Sequence, residues 1–123
     1  MYARGYTAVG VDELCRPAGV HQGSFSYFFP SKQVLVLAVL AMDGQHIQDL
    51  WEAGRRADCP LRERLQQACA HAYRGHCQRF QGSGQLEGCP LGTLALELGS
   101  QDPIVWQKLH DMCTAWACVI ERG

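Results

Sequence analysis

Residues 11–32 read VDELCRPAGVHQGSFSYFFPSK, and this stretch predicts two short helices joined by a tight turn. The apolar residues at 11, 14 and 15 have helical spacing, and two acidic residues lie in the first turn, where the helix dipole favours them. Gly19 supplies the left-handed residue that ends such a helix. A second helix is then expected from about Gln22 to Phe28, crossing the first after a short turn.

The second helix has one apolar face and one face of small and polar side chains. Phe25, Phe28 and Phe29 are expected to be core residues that hold this helix on the rest of the protein. Pro30 cannot continue the helix, and Ser31 can cap the free N–H groups of the next one. The stretch therefore predicts that a third helix begins directly after the second.

The remainder of the chain also reads as α-helix. A long helix is expected from residue 32 to about 56, and its segment 34–42 is apolar nearly all round, so we expect it to be covered on every side. β-Branched residues make a strand the rival over residues 34–40, but the serine cap and the length favour a helix. Three more helices are expected, at about residues 61–80, 90–98 and 103–120. With Gly82-Ser83-Gly84 as a loop, the sequence predicts an all-α protein.

The composition is that of one folded domain. The chain has 123 residues, 47% of them apolar or aromatic, which excludes the disordered and collagen-like classes. Its longest apolar run is about half of the roughly 18 residues needed to cross a bilayer, and no apolar segment follows a basic start. We therefore expect a cytoplasmic protein without membrane contact. The seven cysteines are odd in number and scattered, which favours reduced thiols over disulfides.

The charge distribution gives little support to nucleic-acid binding by itself. The formal net charge is −1, of which residues 1–32 carry +1 and the remainder −2. Neither part has the strongly basic character of an electrostatic nucleic-acid footprint. A nucleic-acid function must therefore rest on the geometry of a motif.

Two segments carry the residues of a known family. The first comprises Gly5-Tyr6, Val11 through Cys15, Ala18-Gly19-Val20, Gly23-Ser24-Phe25 and Phe28 through Lys32. These residues resemble the DNA-binding segment of the tetracycline-repressor (TetR) family. Residues 88–98, GCPLGTLALEL, are similar to the ligand-domain segment of one branch of that family. A bare helix-turn-helix pattern is weak, but this many matches in register are not expected of a chance helical hairpin.

The resemblance implies a division of the chain by function. Residues 1–32 would form the helix-turn-helix DNA-binding segment, with the family's first helix mostly missing, and residues 33–123 a helical ligand-binding and dimerisation domain without its C-terminal helices. The implied function is a transcriptional regulator, a repressor that a small-molecule effector releases from operator DNA. It would act as a homodimer when full length, and we expect this chain alone to dimerise poorly.

The resemblance also implies the DNA contacts. Six residues are expected to face base edges or phosphates: Gln22, Gly23, Ser24, Ser26, Tyr27 and Lys32. The amide of Gln22 can pair with adenine at two atoms, whereas Lys32 would neutralise a phosphate. Gly10 stands where the family commonly has a capping Ser or Thr, so one phosphate anchor is expected to be lost.

A candidate effector site rests on weaker signals. Five residues of the predicted ligand domain are candidates to line a cavity: Trp51, Phe80, Cys89, Trp106 and Trp116. Aromatic residues at helical spacing more often serve plain packing, and Cys89, which precedes a proline, is more often a small buried hydrophobic residue.

Metal binding and catalysis receive little support from the sequence. Cys69, His71, His76 and Cys77 do not have the spacing of a metal site, and no CxxC pair exists, so neither a metal nor another cofactor is expected. The chain has no G-x-S-x-G elbow, P-loop, HExxH or Rossmann fingerprint, which argues against an enzyme. A helical interaction module, or a truncated remnant that no longer binds DNA, remains the alternative to a regulator.

Overall fold

The structure is a computed structural model, and it describes residues 4–56, 58–86 and 88–122. These residues form six α-helices and no strand, which confirms the predicted all-α fold. The helices are α1 Val11–Ala18, α2 Gln22–Phe28, α3 Lys32–Arg56, α4 Leu61–Ser83, α5 Pro90–Leu98 and α6 Pro103–Glu121.

A glycine closes α1 and sets up the turn into α2. Gly19 has a φ of +65°, a left-handed conformation that other residues rarely adopt. Its N–H donates to the carbonyl of Arg16 at 3.2 Å, and the N–H of Val20 donates to the carbonyl of Cys15 at 3.1 Å. These bonds satisfy carbonyls at the end of α1, and α1 and α2 pack against each other.

Side-chain caps begin two of the longer helices, α3 and α6. Ser31 Oγ accepts a hydrogen bond from the N–H of Val34 at 3.2 Å, so the predicted serine cap of α3 is confirmed and the rival strand is wrong. Before α6, Asp102 Oδ1 accepts hydrogen bonds from the N–H groups of Ile104 at 3.0 Å and Val105 at 3.1 Å.

The described residues divide into two compact units. The first contains residues 4–41 and 88–109, and the second contains residues 42–56, 58–86 and 110–122. Both α3 and α6 contribute residues to both units. The functional boundary between residues 32 and 33 stays a prediction.

A core of small and medium apolar side chains holds the first unit together. It draws on the segment before α1 and on α1, α3, α5 and α6, and its buried members are Val9, Cys15, Val36, Leu40, Leu94, Leu98, Val105 and Leu109. The helix-turn-helix therefore shares its core with α5 and the first part of α6.

In the second unit, α3 and α6 approach closely at a glycine. Gly44 is buried, and a Cβ atom at this position would lie 2.7 Å from Cε of the buried Met112. The indole N–H of Trp116 donates to the carbonyl of Gly44 at 3.4 Å. A larger residue at position 44 would have to displace the side chain of Met112.

Three expectations about burial and boundaries are wrong. Phe28 is 69% exposed, because its ring packs edge-on against Tyr27 at the surface instead of entering the core. Met42 is 75% exposed, so the apolar part of α3 is not covered on every side and buries only the face that carries Val36 and Leu40. The predicted loop at 82–84 is also too early, since α4 continues through Ser83 and the left-handed Gly84 ends it.

No described helix by itself has both the length and the apolar character needed to span a membrane. α2 and α3 have the required length and apolar character only when they are counted as one segment, and this segment is bent by 63°.

Candidate nucleic-acid interface

The face of α2 predicted to meet DNA lies at the surface. Gln22, Gly23, Ser24, Ser26 and Tyr27 are all exposed, and α2 has no buried residue. Among the described residues, no hydrogen bond engages the side chains of Gln22, Ser24 or Ser26. A Cβ atom on Gly23 would meet nothing within 4 Å, so packing within the protein does not require this glycine.

A ring contact and a backbone hydrogen bond order the C-terminal end of α2. Phe25 and Phe29 are half-buried, with ring centroids 5.6 Å apart, and the N–H of Phe29 donates to the carbonyl of Phe25 at 2.8 Å. The polar and aromatic side chains of the outer face, with Tyr27 at 82% exposure, are therefore available to a partner.

Lys32 has partners inside the protein. Its Nζ donates to the carbonyls of Tyr6 at 2.5 Å and Val9 at 2.8 Å, and it lies 4.1 Å from the centroid of the Tyr6 ring. The ammonium has three N–H donors, so one remains for another acceptor. Its predicted contact with a phosphate stays a prediction.

Glu97 of α5 binds the segment before α1 through backbone N–H groups. Its Oε2 accepts from Tyr6 at 2.7 Å and its Oε1 from Thr7 at 2.6 Å. Hydrogen bonds from the backbone and hydroxyl of Thr7, then from the N–H of Tyr6, and the nearby charge of Lys32 lower the pKa of the Glu97 carboxyl below its ordinary value of 4.5.

Asp102, between α5 and α6, makes a similar link to α3. Its Oδ2 accepts a hydrogen bond from Nε2 of Gln33 at 2.6 Å. This bond, followed by the N–H groups of Val105 and Ile104 at the start of α6, lowers the pKa of the Asp102 carboxyl. Burial raises the pKa of Tyr6, and the charges of Asp102 and Glu97 add to that effect.

Sequence reasoning missed Glu97, Asp102 and Gln33. Glu97 lies within the second segment that resembles the family, but its partners are 90 and 91 positions away, and no pattern along the chain encodes such a pairing. An aspartate directly before Pro103 did signal a helix cap.

The basic residues of the helix-turn-helix are few and partly engaged. Arg4 forms an ion pair with Glu13, whereas Arg16 is exposed in the last turn of α1. Gly10 begins α1 without a side-chain cap, as expected of a residue that lacks a hydroxyl. Electrostatic attraction to phosphates is therefore modest here, and shape and direct contacts must supply more of any affinity.

The five candidate effector residues fall into both compact units. Trp51 and Trp116 are half-buried and Phe80 is exposed in the second unit, whereas Cys89 and Trp106 are exposed in the first. Cys89 is thus not the buried hydrophobic residue expected at this position. Its carbonyl, at the start of α5, accepts hydrogen bonds from both the N–H and the hydroxyl of Thr93.

All seven cysteines carry free thiols. Among the described residues no group of three or more His, Cys, Asp or Glu side chains is placed to hold a metal ion. The rings of His46 and His71 lie 6.3 Å apart, a contact between α3 and α4.

A glycine turn between two packed helices, the second of them exposed along a small polar face, defines a helix-turn-helix protein. Residues 1–39 match the family described as bacterial regulatory proteins, tetR family. Over these 39 residues the chain is similar to the TetR family.

Two curated relatives cover most of this chain. It is 28% identical over 108 residues to an uncharacterized HTH-type transcriptional regulator in the lacX 3'region of Lactococcus lactis subsp. lactis, covering 83% of this chain and 50% of that protein. It is 26% identical over 128 residues to the HTH-type transcriptional regulator LmrA of Bacillus subtilis (strain 168), covering 97% of this chain and 62% of that protein. The chain thus spans less than two thirds of the length of either relative.

A solved structure shares the fold. The chain matches the crystal structure of E. coli NemR in its reduced form with a TM-score of 0.73 and 24% identity, over 96% of this chain and 60% of NemR.

Proposed function

We propose that this protein is a DNA-binding transcriptional regulator, a repressor that reads the major groove with α2 and is released by a small-molecule effector. It acts without catalysis, in the cytoplasm, as a homodimer. The observation that carries the proposal is α2 itself. This helix buries no residue, is joined to α1 by the Gly19 turn, and exposes a face of small and polar side chains.

The chemistry of that face suits base edges. The amide of Gln22 can donate to and accept from adenine, and Tyr27 offers a hydroxyl and a ring for stacking. The absence of a side chain at Gly23 lets the backbone approach the duplex closely. Ser24 and Ser26 add short hydroxyls that can reach bases or phosphates.

The proposal is tested by binding to duplexes selected from a random library by the wild-type protein. Gln22→Ala should lower affinity for the selected duplex by about 1–3 kcal/mol and change affinity for scrambled DNA little, because it removes a base contact. Gln81→Ala, at an exposed glutamine of α4, is the matched control and should bind as the wild type does. Equal losses on both DNAs would show that another face of α2 enters the groove.

The effector part of the proposal rests on the aromatic residues of the second unit. Trp51 and Trp116 are half-buried, so a ligand that reaches them would change tryptophan emission. An effector acts on DNA affinity only through different affinities for the DNA-binding and released states. A broad panel of apolar and cationic compounds tests this part of the proposal. If none of them changes the tryptophan emission or the melting temperature, release by an effector is refuted.

A helical interaction module without DNA binding is the second candidate. The observation in its favour is the modest charge, since Arg4 is paired with Glu13 and Lys32 is bound to backbone carbonyls. A wild-type protein that enriches no duplex, even at low salt where phosphate contacts are strongest, would favour this candidate.

A further inference from the structure

We propose that Glu97 is a positioning residue for the helix-turn-helix, acting through the backbone of residues 5–7. Its carboxylate holds the segment that enters α1, so the placement of α5 sets the placement of the DNA-reading helices. This inference rests on the proposed function for its effect on DNA, but the contact itself is independent of that function.

The segment before α1 forms a backbone site for an anion. Gly5 has a φ of +83°, which aims the next two N–H groups toward one point, and those of Tyr6 and Thr7 reach separate oxygens of Glu97. A Cβ atom on Gly5 would lie 2.9 Å from Oε2 of Glu97. The left-handed conformation therefore favours glycine here, and a Cβ atom at this position would also displace the carboxylate of Glu97.

Lys32 holds the same segment from the other side. The N–H of Tyr6 donates to Glu97 while its carbonyl accepts from Lys32, so one residue is bound in both directions. The second bond of Lys32, to the carbonyl of Val9, extends this hold to the residue that precedes the N-cap of α1. We call Glu97, Lys32 and residues 5–9 the entry clamp.

The entry clamp joins parts of the chain with different proposed roles. Glu97 lies on α5, within residues 33–123 that are proposed to take the effector, whereas residues 5–9 lead into α1. Hydrogen bonds weaken steeply when their length or angle changes, so a displacement of α5 of about an ångström would release both N–H groups. A state of α5 that keeps the carboxylate in place therefore favours one placement of the DNA-reading helices.

The test compares Glu97→Gln with Glu63→Gln, which removes the same charge from an exposed residue of α4. The first readout is amide hydrogen exchange by NMR. Glu97→Gln should exchange the amides of Tyr6 and Thr7 at least tenfold faster than the wild type, because a neutral amide replaces an ion that accepted two hydrogen bonds. Glu63→Gln should leave both rates unchanged.

The second readout is affinity for a duplex that the wild-type protein has enriched from a random library. Glu97→Gln should bind about tenfold more weakly, measured at a temperature where urea titration shows every variant fully folded. Gly5→Ala should have a similar effect from the opposite side of the contact, and combining the two should add little, because they break one interaction. Glu97→Asp, which keeps the charge on a shorter stem, should recover part of the affinity.

The outcomes separate the inference from the function beneath it. Unchanged amide exchange in Glu97→Gln would overturn the entry clamp, and fast exchange with wild-type affinity for the enriched duplex would overturn the positioning role. Failure of the proposed function would instead appear as a wild-type protein that enriches no duplex.

Discussion

Replacing Lys32 with Met separates two roles that this side chain can have. The substitution keeps most of the aliphatic stem and removes the ammonium, which donates to the carbonyls of Tyr6 and Val9 and lies over the Tyr6 ring. A hydrogen bond to a charged group contributes about 1.5–3 kcal/mol, which we reduce to about 1 kcal/mol for each because solvent reaches this site. The cation–π contact adds about 0.5 kcal/mol. Lys32→Met should thus lower the free energy of unfolding by about 2–3 kcal/mol.

The assay is urea unfolding followed by circular dichroism, with Lys108→Met on α6 as a control that removes the same charge. The midpoint should fall clearly for Lys32→Met at an unchanged m-value, and little for the control. If the third N–H donor of Lys32 reaches a phosphate, the salt dependence of DNA binding should also fall by roughly one in slope. Equal stability of Lys32→Met and Lys108→Met would refute the internal role and leave only the phosphate contact.

Three further substitutions test the core, the close helix approach and the carboxylate. Leu40→Ala, at a residue with no exposed surface, should cost about 3–5 kcal/mol in urea unfolding, whereas Met42→Ala on the same helix should cost less than about 0.5 kcal/mol. Gly44→Leu should destabilise the protein by about 2 kcal/mol, because its Cβ would lie 2.7 Å from the methyl group of Met112. Gly75→Leu, whose Cβ would meet nothing within 4 Å, should stabilise α4 slightly. Similar effects at both sites would contradict the close approach of α3 and α6. The lowered pKa of Glu97 predicts that the wild type is more stable than Glu97→Gln above pH 4.5. This advantage should disappear as the pH falls through the lowered pKa, because a group with a depressed folded pKa loses its contribution when it is protonated. Denaturation curves that show a stability difference independent of pH would contradict this prediction.

Local signals explain why the helix boundaries were predictable. Gly19 at the end of α1, the pair Pro30-Ser31 before α3 and Pro103 at the start of α6 each restrict the backbone at their own position. The bounds of α2 followed because such signals stand on both sides of it. At the end of α4 two glycines flank Ser83, and the sequence does not say which of them closes the helix.

Burial and long-range pairing were harder to predict, for a physical reason. The apolar side chains of Phe28 and Met42 indicate that burial would be favourable in free energy, but not whether another helix lies opposite them to bury them. The contacts of Glu97 and Lys32 with the backbone at Tyr6 depend on how the helices pack, which the spacing of residues along one helix does not encode. The exposed face of α2 was predictable as a surface, while the support beneath it was not.

The first compact unit is assembled from two separate stretches of the chain, residues 4–41 and 88–109. A recombination event with a single crossover within α3, after Leu40, would join the proposed DNA-reading helices to a foreign α5 and α6. In the hybrid, Val36 and Leu40 would pack against residues from another protein, and a different residue could stand in place of Glu97. If α2 reads operator DNA as proposed, its specificity is expected to change by point substitutions on the outer face of α2, which leave that shared core intact, more readily than by shuffling of whole gene segments.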